Sequence, residues 1–226
     1  MRKGLQTIIQ IIFLVAFVVL TITGRIQLWM AIFALGLIVS VFFSRLYCGW
    51  VCPINTLMRG ISWLKKKLHI KSIKIPTLLK KPAVRYIVFG LFIALFVFTM
   101  ATGKKLPVLP GLLIIGVVLT IFFPEELWHR YLCPYGTLFH IVSRKSIFSM
   151  NIDKSACTNC GICSRVCPAA AVDKEAGYYM IYKDACLVCF ACSDKCKQKA
   201  ISYHQRPKGI PQTLRKDEHY GKEANG

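Results

Sequence analysis

No aspartate or glutamate occurs in the first 124 residues, although fifteen lysines and arginines do; Glu125 is the first acid. The 226-residue chain has ten acids against thirty basic residues, a formal charge of +20. Such a balance ordinarily points to nucleic acid. Here the basic residues alternate with long apolar runs, which reads as a membrane topology signal and not as a nucleic-acid surface. No Cys-x2-Cys-His is present and no spaced pair of histidines lies in the apolar runs, which argues against haem. No small-residue cleavage site follows the first apolar run, so that run reads as retained and not as a cleaved signal peptide.

What the chain has in abundance is apolar surface: 55% of its residues are hydrophobic. Four runs stand out, at residues 5–23, 26–44, 83–101 and 106–123, none with an internal acid. Each approaches the roughly 20 residues needed to cross about 30 Å of hydrocarbon. Pro107, Pro110 and Gly111 disturb the first turn of the fourth. The stretch 45–82 carries nine basic residues and no acid, whereas the connections around Gly24 and Gly103 are short and hold one and two. The positive-inside rule then places 45–82, both termini and everything after residue 123 in the cytoplasm, in a multi-pass protein of the cell membrane. Within 54–68, Ile54, Leu57, Met58, Ile61, Leu64 and Leu68 form a helical stripe beside Trp63 and Lys65–Lys67. The stripe predicts an interfacial helix on anionic lipid; the competing reading is a solvated basic loop.

The sequence matches itself at an offset of 81. Residues 46–53, Leu-Tyr-Cys-Gly-Trp-Val-Cys-Pro, fall on residues 127–134, Leu-Trp-His-Arg-Tyr-Leu-Cys-Pro. Two parallel copies of a two-helix unit would be related by a pseudo-twofold axis along the membrane normal. The first copy reads Cys-x3-Cys-Pro and the second His-x3-Cys-Pro, with His129 in the place of Cys48. Brought together, Cys48, Cys52, His129 and Cys133 make a Cys3His set suited to iron–sulfur, zinc or copper(I). Against it stands the reading that the cysteines pack as small apolar residues or act as redox thiols, with His129 as an interfacial anchor.

From residue 151 the hydropathy drops. Cys157-x2-Cys160-x2-Cys163-x3-Cys167-Pro168 is followed by Cys186-x2-Cys189-x2-Cys192-x3-Cys196, an offset of 29. Zinc sites use cysteine pairs parted by a spacer; four cysteines in eleven residues, twice, match two [4Fe–4S] cubanes. In that arrangement the fourth cysteine of each run serves the other cluster. This predicts Cys157, Cys160, Cys163 and Cys196 on one cluster and Cys186, Cys189, Cys192 and Cys167 on the other. Pro168 is expected to open a helix after Cys167, and 173–177 to form a turn before a strand at 178–183. So dense a thiol content fits a reducing compartment better than disulfides. After residue 205 the chain is polar and reads as a disordered tail.

The expected fold is therefore an α-helical membrane protein with four transmembrane helices in two parallel pseudo-repeats (1–150), a small α+β two-cluster ferredoxin domain (151–205), and a tail (206–226). The order of parts resembles the NapH-type family of membrane ferredoxins, related to the NosR and CcoG proteins. The resemblance rests on the four runs, on Tyr47-Cys48-Gly49-Trp50-Val51-Cys52-Pro53, on a second Cys-Pro motif after the fourth run, and on the two-cluster module. In that family both membrane motifs read Cys-x3-Cys-Pro, so His129 is a departure. The resemblance implies electron transfer between quinone or quinol and another redox subunit, as the membrane component of a quinol dehydrogenase. Two other readings remain open: a metal (copper) reductase or assembly factor using Cys48, Cys52 and Cys133, and a redox sensor with labile clusters.

Overall fold

In the computed structural model the described residues are 2–102, 108–175 and 177–205. The tail expected from residue 206 lies outside them, as does the connection around Gly103. In chain order the helices of the first 150 residues are α1 (Arg2–Ile22), α2 (Gln27–Phe43), α3 (Leu46–Trp50), α4 (Pro53–Lys67), α5 (Pro82–Thr102), α6 (Val108–Phe122), α7 (Glu125–Leu127) and α8 (Pro134–Ser143). A five-residue π-helical turn, Trp128–Leu132, links α7 to the second Cys-Pro motif.

Each apolar run forms a helix. By length and composition one stretch, Lys3–Ile22, suffices to cross a membrane; Gln27–Phe43, Ala83–Thr99 and Val108–Phe122 are apolar but shorter. These helices wear their apolar side chains outward. Ile8, Ile12 and Val15 of α1, Leu35 and Ile38 of α2, Leu91 and Val97 of α5, and Ile114 and Ile121 of α6 are all exposed. Only 17% of the α1 window is buried. A water-soluble bundle would turn such residues inward.

α1 is fastened by polar and aromatic contacts instead. Gln6 and Gln10 are buried and both donate to the Gly49 carbonyl, at 3.0 and 2.8 Å. Phe13 and Phe17 meet Trp29 edge-on, and Trp29 Nε1 donates to the Tyr47 hydroxyl.

The helical stripe of 54–68 is realised as α4, and its two halves differ in their surroundings. Ile54 and Met58 are buried, whereas Trp63, Leu64 and Leu68 are exposed. Ile54 Cγ2 and the Trp128 ring would lie 3.0 and 3.2 Å from a Cβ on Gly116, so α4, α6 and the π turn meet where α6 has no side chain. Of the three consecutive lysines, Lys65 turns inward. Its Nζ donates to Ser72 Oγ (2.8 Å) and to the Thr120 carbonyl (3.0 Å) at the end of α6, where the last helical carbonyls have no intrahelical partner.

The module after residue 147 consists of β1 (Phe148–Ile152), α9 (Ile162–Arg165), β2 (Val172–Glu175), β3 (Tyr178–Ile181), α10 (Ala191–Lys195) and β4 (Ile201–Gln205). β1 pairs antiparallel with β4, Phe148 opposite Gln205, and β2 with β3, Val172 opposite Ile181. Two expectations need correction. Residues 173–175 belong to a strand and not to the turn, because they complete the ladder with β3 and leave Gly177 (φ 87°) to reverse the chain. Pro168 opens no helix; the short helix α9 precedes Cys167, and Pro168 lies in a turn.

The backbone follows the 29-residue offset closely. Asn159 and Val188, Gly161 and Phe190, and Ala170 and Lys199 are all left-handed, with φ between 45° and 73°. Five of these six are not glycine, and Val188 is β-branched, a conformation that costs energy and persists only where its surroundings impose it.

Candidate metal centres

The ferredoxin cysteines gather into two cavities. Cys157, Cys160, Cys163 and Cys196 line one, of about 210 Å³. Cys167, Cys186, Cys189 and Cys192 line the other, which is far tighter. The fold thus carries the last cysteine of each run to the opposite run's loop. Backbone amides point at several sulfurs: Ala171 N–H at Cys167 Sγ (3.2 Å) and Val188 N–H at Cys186 Sγ (3.4 Å). Burial pushes Cys192 up to about 12 and Cys186 well above the ordinary thiol range. Such thiols stay protonated until a metal displaces the proton. The donor sets fit cubanes: four sulfurs each, a dry lining, and amides directed at the sulfurs.

The two cavities face different ways. Cys160 is exposed and Cys157 half-buried, so the first reaches the surface. The second is seated on the helical half of the chain. Ser44 Oγ donates to the Lys183 carbonyl (2.7 Å), the Arg45 guanidinium to that of Ala185 (3.4 Å), and Trp50 Nε1 to that of Val188 (3.0 Å). His140 Nδ1 lies 3.0 Å from the Asp184 carbonyl, which can only accept, so that nitrogen carries the proton. The other ring nitrogen is 3.6 Å from Asp184 Oδ2. Burial holds His140 below the ordinary imidazole range and raises Asp184 above the ordinary carboxylate range. A methyl on Gly49 would overlap the Leu187 carbonyl oxygen. Tyr47 and Cys48 share one buried core with Cys163, Cys186, Leu187 and Cys192.

The third predicted set also comes together. Cys48, Cys52, His129 and Cys133 line a single small cavity walled by Trp29, Phe33, Tyr47, Trp128, Tyr135 and Phe139. Cys52 and Cys133 occupy equivalent places, each the N-cap of a helix opened by proline, with ψ of 117° and 108°. The Gly136 amide donates to Cys133 Sγ (3.2 Å), and the amides of Asn55 and Ile54 to Cys52. Burial pushes Cys133 up to about 11 and Cys48 and Cys52 up as well, and holds His129 down at about 3. Sequence reasoning missed Arg45, which hydrogen bonds Cys48 and stands beside Gly136 and Cys133. Its only signal was as one of nine topology-setting cations.

A family model described as a 4Fe-4S binding domain matches twice, over residues 26–71 and 106–155. A second, described as a 4Fe-4S dicluster domain, matches residues 156–201. An uncharacterized protein of Methanocaldococcus jannaschii is 30% identical over 177 residues, covering 75% of this chain and 68% of the relative. The ferredoxin-type protein NapH of Haemophilus influenzae is 29% identical over 193 residues, 74% of this chain and 64% of the relative. The chain belongs to the NapH-type ferredoxin family. Another relative of this NapH-type chain, the methylamine utilization ferredoxin-type protein MauN of Methylobacillus flagellatus, is 31% identical over 144 residues. That match covers 57% of this chain and 50% of MauN. No solved structure matches. Membership and the matched domains make this NapH-type chain an iron–sulfur electron-transfer protein.

Proposed function

We propose that this chain is a four-span subunit of the cytoplasmic membrane that carries two [4Fe–4S] clusters on its cytoplasmic end. It relays electrons between the quinone pool, or a membrane redox partner, and another redox subunit. The reading is carried by the opposed placement of the two cysteine cavities, one against the ends of the apolar helices and the other open at the surface. Cys167, Cys186, Cys189 and Cys192 would hold the cluster that exchanges electrons with the membrane side, and Cys157, Cys160, Cys163 and Cys196 the cluster that exchanges them with a soluble subunit. The cubanes supply one-electron storage when bound, and amides directed at their sulfurs favour the reduced form.

The outward apolar side chains of α1, α2, α5 and α6 support four spans, as does the repeated match of one family model. Trp63, exposed under Lys67 at 5.4 Å, and the exposed Leu64 and Leu68 support α4 as an interfacial helix. The quinone partner comes from the family resemblance, and the redox subunit from the ferredoxin-type names of the relatives.

The test is reoxidation of the dithionite-reduced protein in vesicles by a quinone analogue, followed by electron paramagnetic resonance. The wild type loses both cluster signals as quinone takes up two electrons and two protons. Cys160→Ser perturbs one signal only. Cys189→Ser perturbs the other and strands electrons on the outer cluster. Outer-cluster reoxidation at the wild-type rate in Cys189→Ser would refute the relay order.

A further inference from the structure

We propose that Cys48, Cys52, Cys133 and His129 together hold a third iron–sulfur centre, shared between the two Cys-Pro turns and placed on the membrane side of the second cluster. Neither matched segment has enough donors alone. Residues 26–71 contain two cysteines and residues 106–155 contain one, with His129 beside it. The fold brings all four donors to one cavity.

His129 is 5% exposed, and its Nε2 is buried without a hydrogen-bond partner. An imidazole nitrogen left unpaired in an aromatic cavity is an unsatisfied group of the kind native structures avoid, and an iron ligand would satisfy it. Several polar groups at the sulfurs oppose the effect of burial and favour thiolate. Cys52 and Cys133 stand at the N-termini of helices fifteen and ten residues long, with backbone amides donating to both. Arg45 donates to Cys48. Helix N-termini and a guanidinium favour negative sulfur, a preference wasted on three neutral thiols.

The place of the cavity favours a redox centre over zinc, which has no redox chemistry: Cys48 lies in one buried core with Cys186 and Cys192, and three cysteines with an imidazole are a donor set that iron–sulfur takes. Iron–sulfur clusters with mixed cysteine and histidine ligation are established chemistry, and imidazole raises their potential.

Its place in the fold gives the centre a use. Cys48 lies in the same buried core as Cys186 and Cys192, and the next residue, Gly49, abuts the Leu187 carbonyl. A centre held there would accept one electron from the membrane donor, one ferric iron becoming ferrous, and would hand that electron on to the second cluster. No covalent bond forms or breaks in the step. This relay role rests on the electron-transfer reading above; the existence of the centre does not.

The experiment measures iron, zinc, copper and acid-labile sulfide per chain, with electron paramagnetic resonance, on anaerobically purified full-length protein in detergent. The wild type is expected to hold iron and sulfide in excess of the about eight of each that two cubanes supply. Cys52→Ser and Cys133→Ser lose the excess while both ferredoxin signals persist, which also shows that these variants fold. His129→Cys restores the thiolate found at Cys48; it retains the excess iron and shifts the extra signal to lower potential. About eight iron in the wild type, unchanged in these variants, would overturn the proposal. So would extra zinc or copper without extra sulfide. If the serine variants do not fold, a wild-type excess whose signal His129→Cys leaves unmoved would overturn His129 as a ligand.

Discussion

Gly49 and Gly60 look alike in sequence and differ completely in surroundings. A Cβ on Gly49 would strike the Leu187 carbonyl, which is backbone and cannot swing aside, whereas one on Gly60 meets nothing within 4 Å. Gly49→Ala is therefore expected to cost about 1–3 kcal/mol through overpacking and to loosen the loop that holds Cys186 and Cys189. Gly60→Ala, inside α4, should stabilise by about 0.5–1 kcal/mol. Thermal midpoints in detergent, with iron retention after dilution, check both. At this scale the cysteine runs are legible because their spacing is a local property of the chain. His129 is legible only through its alignment with Cys48. Arg45 is not legible as a neighbour of Cys48 and Cys133, because tertiary folding alone brings it there.

Among the elements, α4 is the most instructive. Its apolar periodicity locates the helix to within a residue, but periodicity does not say which neighbour claims which turn. The C-terminal half gives Lys65 to the carbonyl of Thr120 and leaves Leu64 and Leu68 exposed. Lys65→Met removes those hydrogen bonds and leaves buried acceptors unsatisfied, an expected loss of about 1–3 kcal/mol. Lys66→Met, on an exposed position, should change stability by no more than about 0.5 kcal/mol. Denaturant titration of the two variants side by side measures the difference. The same limit explains β2: Val172–Glu175 has a turn-like composition, and its strand exists because β3 offers a partner. Pro168 is permitted at a helix start and not obliged to make one.

For the molecule as a whole, the four-span reading sets the two ends of each hairpin apart. A periplasm-active reporter fused after Gly24 is expected to be active, and the same reporter after Gln205 inactive. Equal activity at both sites would rule out the four-span arrangement. The order of parts along the chain is readable from hydropathy and cysteine spacing. Which cysteine run faces the helices is not, since the two runs have identical spacing. The choice is made by shape at Gly49 and by donors from Ser44, Arg45 and Trp50.

Those donors, with His140 Nδ1, all address backbone carbonyls between Lys183 and Val188. A carbonyl is the one group that mutation does not remove. This part of the docking grip is thus written in the helical half of the polypeptide, while Tyr203 donates the other way, to the Phe43 carbonyl. A foreign two-cluster module with the same loop path would be held by the same four side chains, which makes this joint a natural place for exchange of parts between related proteins.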